Sequence, residues 1–176
     1  MPFTFKITTA IDRMPELKKG LKDLAAKQLQ VGFPSDKPRA LESGQKAPRT
    51  KTGRFKKRVR NAEIAYMNEY GSPAQNIPPR PFMEPGIASA DDAIVEGLTD
   101  AAMAALDGNK EGINMGFHKA GLKAVAGIRN YMTEGVAPPL SPITLRLRRM
   151  RGIHSTKPLI ATGQLLNAVT YVVGKK

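Results

Sequence analysis

Between Lys37 and Arg60 the chain carries ten basic residues against one acid, Glu42, and apart from Leu41, Phe55 and Val59 almost no apolar side chain larger than Ala. A segment of that composition cannot be buried, and its Pro, Gly, Ser and Thr content predicts a long loop or extended arm, placed at residues 34–60. The core has to come from the residues on either side of it. A length of 176 residues leaves room for one domain, taken as residues 1–176 with the arm inside it.

There is enough material for that core. Hydrophobic residues make up 41% of the chain, but aromatics only 6% with no Trp, so the interior is expected to be built from aliphatic side chains. The absence of Cys removes disulfides, thiolate nucleophiles and thiolate metal sites together. His118 and His154 alone remain as soft ligands, and no metal or cofactor is expected. No apolar run approaches the roughly 20 residues that span a bilayer, and the opening residues lack the basic-then-apolar order of a signal peptide. A soluble intracellular product with no membrane partner is the expectation.

The net charge of +13 is unevenly spread. Met1 to Arg60 holds 16 Lys and Arg against 5 acids, Asn61 to Glu134 holds 5 against 10, and Gly135 to Lys176 holds 7 against none. A uniformly cationic nucleic-acid binder has no need of an acidic middle, whereas a subunit that docks on copies of itself can use opposed faces to steer the contact.

Hydrophobic periodicity outlines the elements. Phe3, Phe5 and Ile7 alternate with polar residues as a strand does, and so do Leu29, Val31 and Phe33. Between them Ile11, Met14, Leu17, Leu21, Leu24 and Gln28 recur at helical spacing, with Pro15 in the first turn. Asn61 is placed to cap a helix ending at Gly71, and the prolines from Pro73 to Pro85 predict a rigid, non-helical connector. Two longer helices follow, from about Ser89 to Leu106 and Lys110 to Thr133. The first has Ser89 and Asp92 as a capping pair and a stripe that includes Leu98. Asp107, Gly108 and Asn109 turn the pair into a hairpin. Gly112, Gly116, Gly121 and Gly127 in the second helix each cost about 1 kcal/mol relative to Ala, for which close packing is the natural compensation. Ser141 and Pro142 start a short helix, Thr162 is placed to cap a last turn, and Ala168 to Val173 reads as a terminal strand. The fold class predicted is α+β, a small antiparallel or mixed sheet packed against several helices including a long hairpin.

Chemistry is inconspicuous. The phosphate-cradling and nucleophile-elbow patterns are absent, and adjacent Asp91 and Asp92 diverge on a helix too far to act as a catalytic pair. His118 reads as a packed or partly exposed residue, not a ligand, and His154 as a residue of a basic loop open to an anion contact. No catalytic residue is assigned, and the chain is expected not to be an enzyme.

Two segments carry a resemblance. The run from Asn61 to Gly71 (NAEIAYMNEYG) followed by Ile77 to Met83 (IPPRPFM) resembles the signature of phage neck and tail-completion proteins, the family of long-tailed bacteriophages that includes the lambda minor tail protein Z. Leu140 to Thr144 (LSPIT) and Lys157 to Tyr171 (KPLIATGQLLNAVTY) are similar to that family's closing block. The resemblance implies a structural virion protein, assembled in the host cytoplasm, that forms a homo-oligomeric ring at the head-proximal end of the tail. Six-fold symmetry is favoured over twelve-fold, with the head connector or stopper and the tail terminator or tail tube as neighbours.

Partner contacts are then expected from Tyr70, Gly71, Arg80, Pro81 and Phe82 in the first block and from Pro158, Leu159, Thr162 and Gly163 in the second. Read without the family, both segments can equally be turns that specify the fold. A basic set of Arg54, Lys56, Lys57, Arg58, Arg60, Arg146, Arg148, Arg149 and Arg151 is expected to lie on a neighbouring subunit, on an adjacent ring or on genome DNA in the lumen. The competing expectation is a sequence-independent nucleic-acid-binding protein that uses the arm at residues 37–60.

Overall fold

The computed structural model describes residues 13–34 and 59–176. The expected first strand and nearly all of the basic arm, with Arg54, Lys56, Lys57 and Arg58, lie outside the described residues. The chain is α+β. Helix α1 (Met14–Ala25) leads into strand β1 (Lys27–Gly32), and α2 (Asn61–Tyr70), α3 (Met83–Ala88), α4 (Asp91–Leu106), α5 (Lys110–Glu134), α6 (Pro142–Met150) and α7 (Gln164–Ala168) precede strand β2 (Thr170–Lys175).

The two strands pair antiparallel from Lys27 opposite Lys175 to Gly32 opposite Thr170, so β2 is tied back to the element that follows α1. Two strands alone are marginal in water, and α5 supplies the missing layer. Leu29, Val31, Tyr171 and Val173 pack inward while Val172 points to solvent, the alternation that a half-buried strand requires.

The predicted helical hairpin is present as α4 and α5. Asn109 caps α5 by accepting the Gly112 N–H at 3.0 Å, and Gly108 takes φ 68° in the turn. Small residues let the backbones touch: a Cβ on Gly116 would stand 2.5 Å from the Ala101 nitrogen. The other α5 glycines are similarly tight, Gly127 beneath the Gly86 carbonyl of α3 and Gly121 beneath the Tyr171 ring. The core has two parts along α5, one of Ala101, Ala105, Ile113 and Phe117 and one around Phe82, Ile128, Met132, Leu165 and Val169.

Several local expectations are corrected: α1 ends at Ala25, so Gln28 belongs to β1, and Ala168 closes α7 while the last strand begins at Thr170. Arg60, not Asn61, occupies the position before α2, and its N–H donates to Glu63 Oε2 at 3.2 Å. The proline connector ends earlier than predicted. Pro85 is the third residue of α3, where a missing N–H costs no helical bond. Ser89 closes α3, donating from Oγ to Gly86 O at 2.8 Å, so it does not pair with Asp92 to cap the next helix. Leu98 is exposed, and Gly97 occupies the buried stripe instead. Gly163 at φ 77°, not Thr162, takes the cap position before α7. Among the described residues no helix is long and apolar enough to cross a membrane.

Candidate interaction site

The first block folds back on the helix it follows. Gly71 ends α2 at φ 77°, a left-handed value that favours glycine, and Ser72 and Ile77 exchange backbone hydrogen bonds at 2.8 and 3.0 Å. This returns the chain along α2, where the Arg80 N–H donates to Asn68 O at 2.6 Å. Glu69 Oε2 then accepts the N–H groups of Phe82 at 2.8 Å and Met83 at 3.1 Å, which supplies the start of α3 with an acceptor. Alternation along the extended segment buries Arg80 and Phe82 and leaves Pro81 exposed.

Arg80 is 7% exposed. Its guanidinium donates from Nε to Pro138 O at 2.7 Å and from Nη2 to Pro139 O at 3.2 Å, fastening the first block to the residues just before the second. Phe82 is fully buried and meets Phe33 edge-on at 6.0 Å.

The second block is organised by Arg148. Ser141 Oγ accepts the Thr144 N–H at 3.3 Å and Pro142 begins α6, as the sequence predicts. Near the end of that helix Arg148 Nη1 donates to the carbonyls of Ser155, Lys157 and Ile160 at 2.9, 2.9 and 3.1 Å. Those carbonyls bracket a tight turn in which Leu159 adopts φ 62° and the Ile160 N–H donates to Pro158 O at 2.7 Å, a strained conformation for a leucine.

The two blocks meet. One cavity of about 150 Å³ is lined by Arg80 from the first and by Leu140, Leu159, Thr162 and Gly163 from the second, with Arg148 alongside. Burial, and then the like charge of Arg80, hold the Arg148 guanidinium below its ordinary pKa.

The site residues predicted from the sequence therefore divide. Arg80, Phe82 and Pro158 are buried and act inside the fold, so in this conformation they offer no side chain to a partner. Tyr70, Pro81 and Thr162 are exposed, while Gly71, Leu159 and Gly163 are half-buried at positive φ. Of the basic set, Arg146, Arg149 and Arg151 are exposed on or beside α6, Arg60 is half-buried before α2, and Arg148 is turned inward. His118 is exposed, its Nδ1 3.1 Å from the Tyr171 hydroxyl, and His154 is exposed in the loop after α6.

Sequence reasoning missed Glu69, although it stands next to Tyr70 in the block that carried the resemblance. It also missed the outward stripe of Ile143, Leu147 and Met150, whose i, i+4, i+7 spacing was available to read. Compared with protein-family models, curated proteins and solved structures, the chain matches none of them.

Proposed function

We propose that this chain is a non-enzymatic structural subunit of a bacteriophage neck, a tail-completion or head–tail joining protein that works as a ring. The observation that carries the reading is the meeting of its two signature-like segments. They are separated in sequence by α4 and α5, yet Arg80 of one and Leu159, Thr162 and Gly163 of the other line a single cavity. Their meeting makes the two segments one unit of the fold, which supports reading them together. The alternation of basic, acidic and basic segments suits head-to-tail contacts that close on themselves.

The basic residues favour a second reading, sequence-independent binding of nucleic acid through the arm. Light scattering and negative-stain microscopy of nuclease-treated protein, at low and moderate salt, separate the two. A closed particle of discrete mass supports the ring subunit. A strict monomer that gains mass only when DNA is added, with a steep salt dependence, overturns it in favour of the nucleic-acid binder.

A further inference from the structure

Helix α6 is turned inside out. Arg148 faces the body of the protein, while Ile143, Leu147 and Met150 stand outward at 73, 48 and 76% exposure. Their i, i+4, i+7 spacing makes one apolar stripe about 10 Å long, the pattern by which a helix anchors in a partner's groove. Arg146, Arg149 and Arg151 are exposed around it and have no ion-pair partner among the described residues. From Gly135 to Lys176 there is no acid to neutralise them.

The complementary surface lies between the end of α2 and α3. Tyr70, Pro81, Met83 and Ile87 line an open groove of about 750 Å³ that Glu84 and Asp91 border. Both acids are exposed and likewise unpaired among the described residues. They belong to the one segment of the chain with an excess of negative charge.

We propose that α6 of one copy seats in the α2–α3 groove of a second copy, its apolar stripe on Met83 and Ile87 and its arginines against Glu84 and Asp91. The inference rests on the ring-subunit reading and names the surfaces that would build the ring. Opposite charge on the helix and the groove selects a second copy as the occupant, because every chain carries both halves of the match. The two halves are different patches, so the contact is heterologous and each copy can give and receive one helix.

The test uses the full chain in sedimentation and light scattering. Arg146→Glu with Arg149→Glu, or Glu84→Lys with Asp91→Lys, is expected to weaken self-association about tenfold or more. Mixing the two variants, or placing all four changes in one chain, is expected to restore it. These side chains are exposed, so each variant should keep the wild-type circular dichroism; Glu84→Lys and Asp91→Lys fall in the first turns of α3 and α4 and should lower the melting point slightly, and the restored combination controls for that. The protein has no Cys, so oxidising a mixture of Met150→Cys and Ala88→Cys chains reports the seating directly as a disulfide-linked pair.

Self-association that ignores both variants, or a charge swap that fails to restore it, overturns this interface and leaves the ring reading standing. A wild-type chain that stays monomeric at every concentration and salt overturns both.

Discussion

Arg80 reaches across 58 positions of sequence to donate from Nε to the carbonyl oxygen of Pro138 at 2.7 Å. The bond joins an extended proline-rich segment to a second proline pair, two stretches that have few backbone donors with which to hold each other. With Nη2 on Pro139 O, the planar guanidinium spans two consecutive carbonyls.

Replacing Arg80 by Lys should therefore not be conservative. An ammonium cannot hold both carbonyls in the fork geometry, and one buried acceptor is left without its donor. The expected loss is about 1–3 kcal/mol, read as a lowered midpoint in urea unfolding with an unchanged slope.

Arg148→Ala is expected to act locally as well as globally. Three carbonyls lose a shared donor, and the strained turn at Leu159 loses what restrains it. A destabilisation of about 2 kcal/mol should come with faster amide hydrogen exchange at Ile160, measurable by mass spectrometry, while the α4–α5 hairpin stays protected. Uniform exchange across the chain would contradict the local role.

Two glycine substitutions should behave oppositely. Gly116→Ala pushes a methyl group against the Ala101 backbone, which cannot yield as a side chain can, and should cost about 2–3 kcal/mol. Gly174→Ala meets nothing within 4 Å and should change stability by no more than about 0.5 kcal/mol. Thermal unfolding of the pair against wild type decides this.

Lys119 lies 2.7 Å from Asp100 Oδ2 and 3.0 Å from Glu96 Oε1. The hydrogen bond to Asp100, and then that to Glu96, raise its pKa above the ordinary 10.5. A cation favoured by folding contributes its stability in full below the unfolded value and loses it as pH rises through the folded one. Stability should thus fall on the alkaline side, and Lys119→Met should flatten that part of the curve. The pair is exposed, so salt should weaken the effect too.

Elements with a strong period were legible in the sequence. The hairpin, its turn at Gly108 and Asn109, the proline start of α6 and the last strand follow from spacing and from the chemistry of single residues. Caps were less so. Asn61, Ser89 and Thr162 are all residues that can cap a helix, yet each lies one position away from the residue that takes the cap. A cap depends on where the backbone leaves the helical region, and neighbouring packing decides that to within a residue or two. Arg80 and Phe82 were legible as residues held at defined positions by a stiff path, but not as buried ones. The same extended segment can turn either face inward, and only Glu69 on one side and the Pro138 and Pro139 carbonyls on the other choose which.

What the sequence determined by itself is whatever depends on neighbours along the chain: an α+β order of elements, a basic segment that no core can hold, and a helix with four glycines that requires close partners. Tertiary structure alone decided how distant segments face each other. It brought the two signature-like blocks to one cavity, turned Arg148 toward three carbonyls and left Ile143, Leu147 and Met150 pointing outward. The physical reason is that a helix carrying arginines and apolar residues on both of its faces has two ways to lie. With Arg148 turned inward the backbone carbonyls of the 155–160 loop gain a donor, and the apolar stripe stays exposed.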